Sequence, residues 1–164
     1  MYLNKKNLFL VSSLALILLF LLNISNAKSS DIKIVDGDTI HIDGEKIRFS
    51  GIDTPELKQT CLANKEIFFC GLEAKNLLAK IINNRDVNCI SEGKDQYKRT
   101  LAECFVGDLS ISSYLVREGY AFAYRKYSEK FVKDEEFAKK NNKGMWSMSF
   151  EYPWEYRKKK LIFF

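Results

Sequence analysis

From Ile32 to Phe49 the chain alternates apolar and polar positions, broken twice by an aspartate–glycine pair. A two-residue period lays one face of a strand on a core. It predicts strands over Ile32 to Val35, Thr39 to Ile42 and Glu45 to Ser50, with turns at Asp36-Gly37-Asp38 and Asp43-Gly44. In the third strand Ile47 and Phe49 share one face, and Lys46 and Arg48 the other. From Leu57 to Cys70 no period holds, and a loop is expected. Ala74, Leu77, Leu78 and Ile81 then recur at helical spacing, which predicts a helix over Gly71 to Asn83. Val87 to Ser91 and Arg99 to Val106 read as two more strands around a charged tip. Ser110 to Glu118 reads as a helix with Gly119 just past its end. An extended piece, Tyr120 to Tyr124, leads to a third helix over Ser128 to Asn142 with a thin apolar face. Pro153 to Lys160 is basic and aromatic, and reads as a solvated arm. The class is α+β, mainly β, with five strands and about three helices. Strand pattern alone leaves small barrels and α+β sandwiches open.

Residues 1–27 differ from the rest. Lys5 and Lys6 precede an apolar run from Leu8 to Leu22, and Ser25-Asn26-Ala27 places small residues at a cleavage site. This predicts a signal peptide, with a retained signal anchor as the alternative. Without that leader the net charge is +3, from 24 basic and 21 acidic residues. A mild positive balance is compatible with a polyanionic partner. The expected organisation is a leader over 1–27, one domain over 28–150 and a tail over 151–164. The product is expected to be exported, periplasmic or secreted, or tethered if the leader is retained.

Candidate chemistry gathers between Asp36 and Glu56. Asp36 and Asp38 flank Gly37, Asp53 and Glu56 flank Thr54-Pro55, and Arg48 lies between the two clusters. Grouped carboxylates suit a hard divalent cation. An arginine beside it binds a phosphate in a two-pronged geometry unavailable to lysine. A carboxylate left off the metal is free to take a proton from water. Gly37 is expected to serve a turn that needs positive φ. His41 is expected to be an ordinary strand residue.

The stretch resembles the staphylococcal nuclease family, whose members carry an Asp-Gly-Asp-Thr turn, an arginine, Asp-Thr-Pro-Glu, and a later Asp-x-Tyr-Gly-Arg. These stand here as Asp36-Gly37-Asp38-Thr39, Arg48, Asp53-Thr54-Pro55-Glu56 and Asp95-Gln96-Tyr97-Lys98-Arg99. The resemblance runs from about Ile32 to Trp146. It implies an OB-type five-stranded Greek-key barrel, a fold that frequently binds oligonucleotides. It also implies a calcium-dependent nuclease acting on DNA or RNA with low sequence specificity and leaving 3′-phosphate ends. Asp38, Asp53 and the Thr54 carbonyl would hold Ca2+, with Asp36 acting through water. Glu56 would be the general base, Arg48 and Arg99 would grip the phosphate, and Tyr97 and Tyr124 would stack on bases. Lys98 departs from the family glycine. If its position needs positive φ, it costs about 1 kcal/mol. Arg99 could also pair with Asp95 or Glu103. The product is expected to be a monomer without stable membrane association. The competing reading is an OB-type module that binds nucleic acid or protein without hydrolysing it.

Four cysteines in an exported chain suggest disulfides rather than zinc, since no Cys-x-x-Cys pair is present. If the fourth and fifth strands form a hairpin with Asp95 to Lys98 at its tip, Cys89 faces Cys104. That leaves Cys61 with Cys70.

Overall fold

The computed structural model describes residues 30–162. The predicted leader lies outside the described residues. The first three strands are β1 (Ile32–Ile34), β2 (Thr39–Ile42) and β3 (Glu45–Phe49), an antiparallel meander. Short β4 (Ile52–Asp53) follows, and then a hairpin of β5 (Cys61–Ala63) and β6 (Glu66–Phe68) where a plain loop was expected. Helix α1 is Cys70–Ile82. Strands β7 (Asn88–Lys94), β8 (Thr100–Val106) and β9 (Leu109–Ser110) come next. Helix α2 (Ile111–Arg117) leads to β10 (Phe122–Ala123), which pairs with β4. Helix α3 (Val132–Lys140), a 3-10 turn (Gly144–Ser147) and helix α4 (Pro153–Ile162) complete the chain.

Five strands run in the order β1-β2-β3-β8-β7, with β3 and β8 parallel and the other pairs antiparallel. The parallel step forces the chain to cross over between β3 and β7, and α1 lies in that crossover. This is the OB-type α+β arrangement. The main core collects the inward strand and helix positions: Ile40, Ile47, Phe49, Ile52, Leu78 and Leu115 are among its buried members. Full burial of each such side chain contributes about 1.5–3 kcal/mol.

Cys89 lies opposite Cys104 and is bonded to it, with Cα atoms 4.0 Å apart. A bulge between Ser91 and Gly93 then shifts the register, so that Lys94 faces Thr100 and the tip spans five residues, Asp95 to Arg99. The four-residue tip expected from uniform pairing is therefore one residue short. Cys61 is bonded to Cys70, tying the β5–β6 hairpin to the start of α1.

The tail is no solvated arm. Phe122 forms a second core with Met145 and the Cys61–Cys70 pair, and Trp146, Phe150, Tyr152 and Trp154 pack around it. The Phe122 ring centroid lies 5.1 Å from Tyr152 and 5.2 Å from Phe150. Such aromatic pairs contribute about 0.5–1.5 kcal/mol each beyond area burial. Pro153, whose missing N–H costs nothing at the first helical position, starts α4 on this platform. The described residues thus hold four α-helices.

Candidate active site

The turn before β2 carries two acids. Its glycine does not have positive φ, contrary to the expectation for Gly37. It is required by packing instead, because a Cβ there would lie 2.8 Å from the Ala74 Cβ of α1 and 3.0 Å from the Thr54 hydroxyl. The Asp38 N–H donates to Asp36 Oδ1 (3.1 Å), and Asp38 Oδ2 accepts from the Thr54 N–H (3.1 Å). Asp38 is thereby tied to the strand that bears Asp53. Burial, reinforced by the Asp38 charge, pushes the Asp36 carboxyl up from its ordinary value to about 6.

Arg48 on β3 joins the two clusters. Its guanidinium donates to Asp38 Oδ1 and, at 2.9 Å, to Asp53 Oδ1. Burial works against its charge, but Asp38 and Asp53 outweigh that and hold its pKa above the usual value. Asp53 is completely buried on β4, opposite Phe122 of β10. Burial raises its pKa, and hydrogen bonding and charge from Arg157 oppose the rise.

Arg157 is the site residue that sequence reasoning missed. Projecting from α4, it donates from Nη2 to Asp53 Oδ2 (2.6 Å) and from Nη1 to Asp53 Oδ1 (3.3 Å) and Glu56 Oε1 (2.9 Å). Burial disfavours its charge, yet Asp53 and Glu56 push its pKa up. The available signal was local: Pro153 as a helix start amid three alternate aromatics, Phe150, Tyr152 and Trp154, with Arg157 one turn later.

Glu56 is partly exposed, and its loop is clamped from behind. Gln59, itself buried, accepts from the Glu56 N–H (3.2 Å), donates its own N–H to the Glu56 carbonyl (2.7 Å), and donates its side-chain amide to the Glu151 carbonyl (2.7 Å). Gly71 lies against the same carbonyl, so closely that a Cβ would sit 1.9 Å from Glu56 O.

At the β7–β8 tip, Asp95 Oδ1 accepts from the N–H groups of Tyr97 and Arg99, both at 2.9 Å. Asp95 Oδ2 pairs with the Arg99 guanidinium at 2.7 Å. Partial burial notwithstanding, these bonds hold the Asp95 carboxyl below the usual range. Arg99 is therefore an ion-pair partner of Asp95 and also a wall of the cleft. Lys98 has φ +63°, so its position does need the left-handed region. Tyr97 is 71% exposed at the rim. Tyr124 stacks on Trp154, and Tyr127, also on the cleft wall, meets Tyr124 edge-on at 5.0 Å. Asp36, Asp38, Arg48, Thr54, Glu56, Arg99, Tyr97 and Tyr124 thus line one cleft of about 760 Å3. Asp53 is buried and does not line it, but it is bonded to Arg48 and Arg157, which do. His41 faces Lys33 and Lys46 across the sheet, outside that cleft.

Among the described residues no three acid, histidine or cysteine side chains converge as a ready metal cluster. The donors that do come together are all oxygens, the Asp38 and Asp53 carboxylates held one guanidinium apart. Such a pair fits a hard cation that fills its shell with water and a backbone carbonyl. Two arginines now balance these acids.

Comparison with known sequences adds the decisive observation: the family described as "Staphylococcal nuclease homologue" matches residues 46–148. The chain belongs to that family. A thermonuclease of Staphylococcus hyicus is 34% identical over 127 residues, covering 71% of this chain and 73% of the relative. An uncharacterized endonuclease of Haemophilus influenzae is 31% identical over 153 residues, 88% of this chain and 80% of the relative. A succinoglycan biosynthesis protein of Rhizobium meliloti is 31% identical over 118 residues, 69% of this chain and 61% of its own length. This staphylococcal nuclease homologue is a nuclease, a phosphodiester hydrolase whose substrate is nucleic acid. No helix among the described residues is long and apolar enough to cross a membrane.

Proposed function

We propose that the protein is an exported, monomeric, calcium-dependent nuclease of low sequence specificity that cleaves DNA or RNA to 3′-phosphate ends. The observation that carries this reading is the cleft walled by Asp38, Glu56, Arg48 and Arg99, in which Arg48 bridges Asp38 to the buried Asp53. Asp38, Asp53 and the Thr54 carbonyl are the proposed calcium ligands, with Asp36 acting through water. When bound, the cation supplies Lewis acidity and a fixed positive charge beside the phosphate.

Glu56 takes the proton of a water whose oxygen attacks phosphorus. The P–O5′ bond breaks, the 5′ oxygen leaves and is protonated from solvent, and the phosphate stays on the 3′ side. Arg48 and Arg99 donate to the phosphate oxygens as charge builds on them. Each guanidinium has five N–H donors, so bonding to aspartate leaves others for the cleft. Tyr97 and Tyr124 offer ring faces to bases, worth about 1–3 kcal/mol each and indifferent to sequence.

The test is degradation of a labelled oligonucleotide with calcium or with excess chelator, together with chemical identification of the ends. Asp38→Ala should abolish cleavage while keeping a cooperative thermal transition. Full cleavage in chelator contradicts the calcium dependence, and 5′-phosphate products contradict the direction of scission.

A further inference from the structure

The described residues place Arg157 where neither motif leads, on a helix that begins 97 positions after Glu56 in the chain. Its grip on Asp53 is two-pronged, and Arg48 takes Oδ1 from the other side. Each oxygen of a fully buried carboxylate therefore carries a guanidinium. A divalent ion bonded to Asp53 must approach one of those oxygens to about 2.3–2.6 Å. That is the distance at which the Arg157 Nη2 now stands from Oδ2, 2.6 Å. Two cations cannot share that position, and in a buried setting their repulsion is poorly screened.

Arg48 and Arg157 differ in what holds them. Arg48 is fixed to the middle of the sheet by β3 and is largely buried, its side chain 19% exposed. Arg157 is 38% exposed and hangs from α4, which is held by ring contacts: Trp154 stacks on Tyr152 at 4.5 Å and on Tyr124 at 6.0 Å. Of the two, Arg157 is the one able to leave. Glu56, already bonded to it at 2.9 Å, gives it a second partner as it goes.

We propose that Arg157 is a tethered competitor of the metal ion: in the metal-free protein its guanidinium occupies the cation position at Asp53, and metal binding drives it off. The proposal rests on the reading of Asp38 and Asp53 as metal ligands. It makes the C-terminal helix a regulator of metal affinity. A binding-competent form that is only fractionally populated weakens apparent affinity by that fraction. If Arg157 holds Asp53 nine-tenths of the time, its removal tightens binding about tenfold.

The experiment is calorimetric titration of calcium into the chelator-stripped full chain after leader removal, comparing wild type with Arg157→Gln. The expected result is a calcium Kd about tenfold lower in the variant, together with a Tm deficit that is larger in chelator than in saturating calcium. A residue that merely braced α4 would leave affinity unchanged or weaken it, and either result overturns the proposal. If Arg157→Gln shows no cooperative transition, Arg157→Lys, which loses the two-pronged grip but keeps the charge, carries the same test with the same sign. Calcium binding by neither wild type nor variant overturns the ligand reading of Asp38 and Asp53, and the proposal with it. Binding by the variant alone supports the proposal in its strongest form.

Discussion

Lys98 holds φ +63° at a tip whose geometry is set by Asp95. A side chain in that region costs about 1–2 kcal/mol, while glycine loses about 0.4–1 kcal/mol to the freedom of the unfolded chain. Lys98→Gly is expected to raise the unfolding free energy by about 0.5–1 kcal/mol in urea denaturation. A loss of stability would mean that the lysine makes a compensating contact. Asp95 sets a pH dependence. Its folded pKa lies below the ordinary 3.8, so the unfolded chain takes up the proton first. The resulting stability is present above about pH 4 and disappears as pH falls through the folded value. Asp95→Asn should therefore flatten the acid limb of the stability curve below pH 4, and parallel curves for the two proteins would refute the assignment. That Asp38, Arg48, Asp53 and Glu56 gather in one place could be read in advance, because the acids fall in two short motifs and Arg48 lies between them. Arg157 could not, because a basic residue near a chain end reads as solvated until its helix is given a platform.

Strand pairing was legible where apolar alternation was clean, from β1 to β3 and again at Cys89 and Cys104. It was illegible past the bulge, since Glu92 and Gly93 offer no side-chain pattern to register against. The β5–β6 hairpin escaped for a related reason. Its turn, Asn64-Lys65, takes positive φ at both positions (+51° and +70°) without the glycine that announces such turns. The Cys89–Cys104 bond spans a sequence separation of 15 and anchors the hairpin whose tip ends in Arg99. Replacing both cysteines by alanine should cost about 3 kcal/mol on the chain-entropy account. Oligonucleotide cleavage should fall more than calcium affinity, because the hairpin carries Arg99 and not the paired aspartates. Equal losses in both measurements would argue that the bond supports the whole barrel and not its tip.

The molecule as a whole is built from two cores with the cleft between their edges. The OB sheet supplies Asp38, Arg48 and Arg99, and the aromatic core around Phe122 supplies Tyr124 and, through α4, Arg157. Only the first core could be derived from periodicity. The second has no period, since its members come from β5, the start of α1, β10, the 3-10 turn and the stretch from Phe150 to Trp154, and it forms by contacts across sequence. The two meet where Phe122 on β10 pairs with Asp53 on β4. Beside the second core, Gly71 of α1, next to Cys70, is pressed against the carbonyl of Glu56.

That contact also has a meaning for the gene. Every missense change reachable from a glycine codon by one base installs a Cβ, and at position 71 it would arrive 1.9 Å from a backbone oxygen. Real structures do not tolerate such a distance, so the loop bearing Glu56 must move or the helix must. A saturation library selected for DNA degradation is expected to return glycine alone at codon 71, with alanine depleted as strongly as bulky residues. Exposed codons on α1, such as that of Lys80, should drift freely. Recovery of active Gly71→Ala clones would show that the loop yields without harm. Otherwise the tightest hereditary constraint on this enzyme falls on a residue with no chemistry of its own.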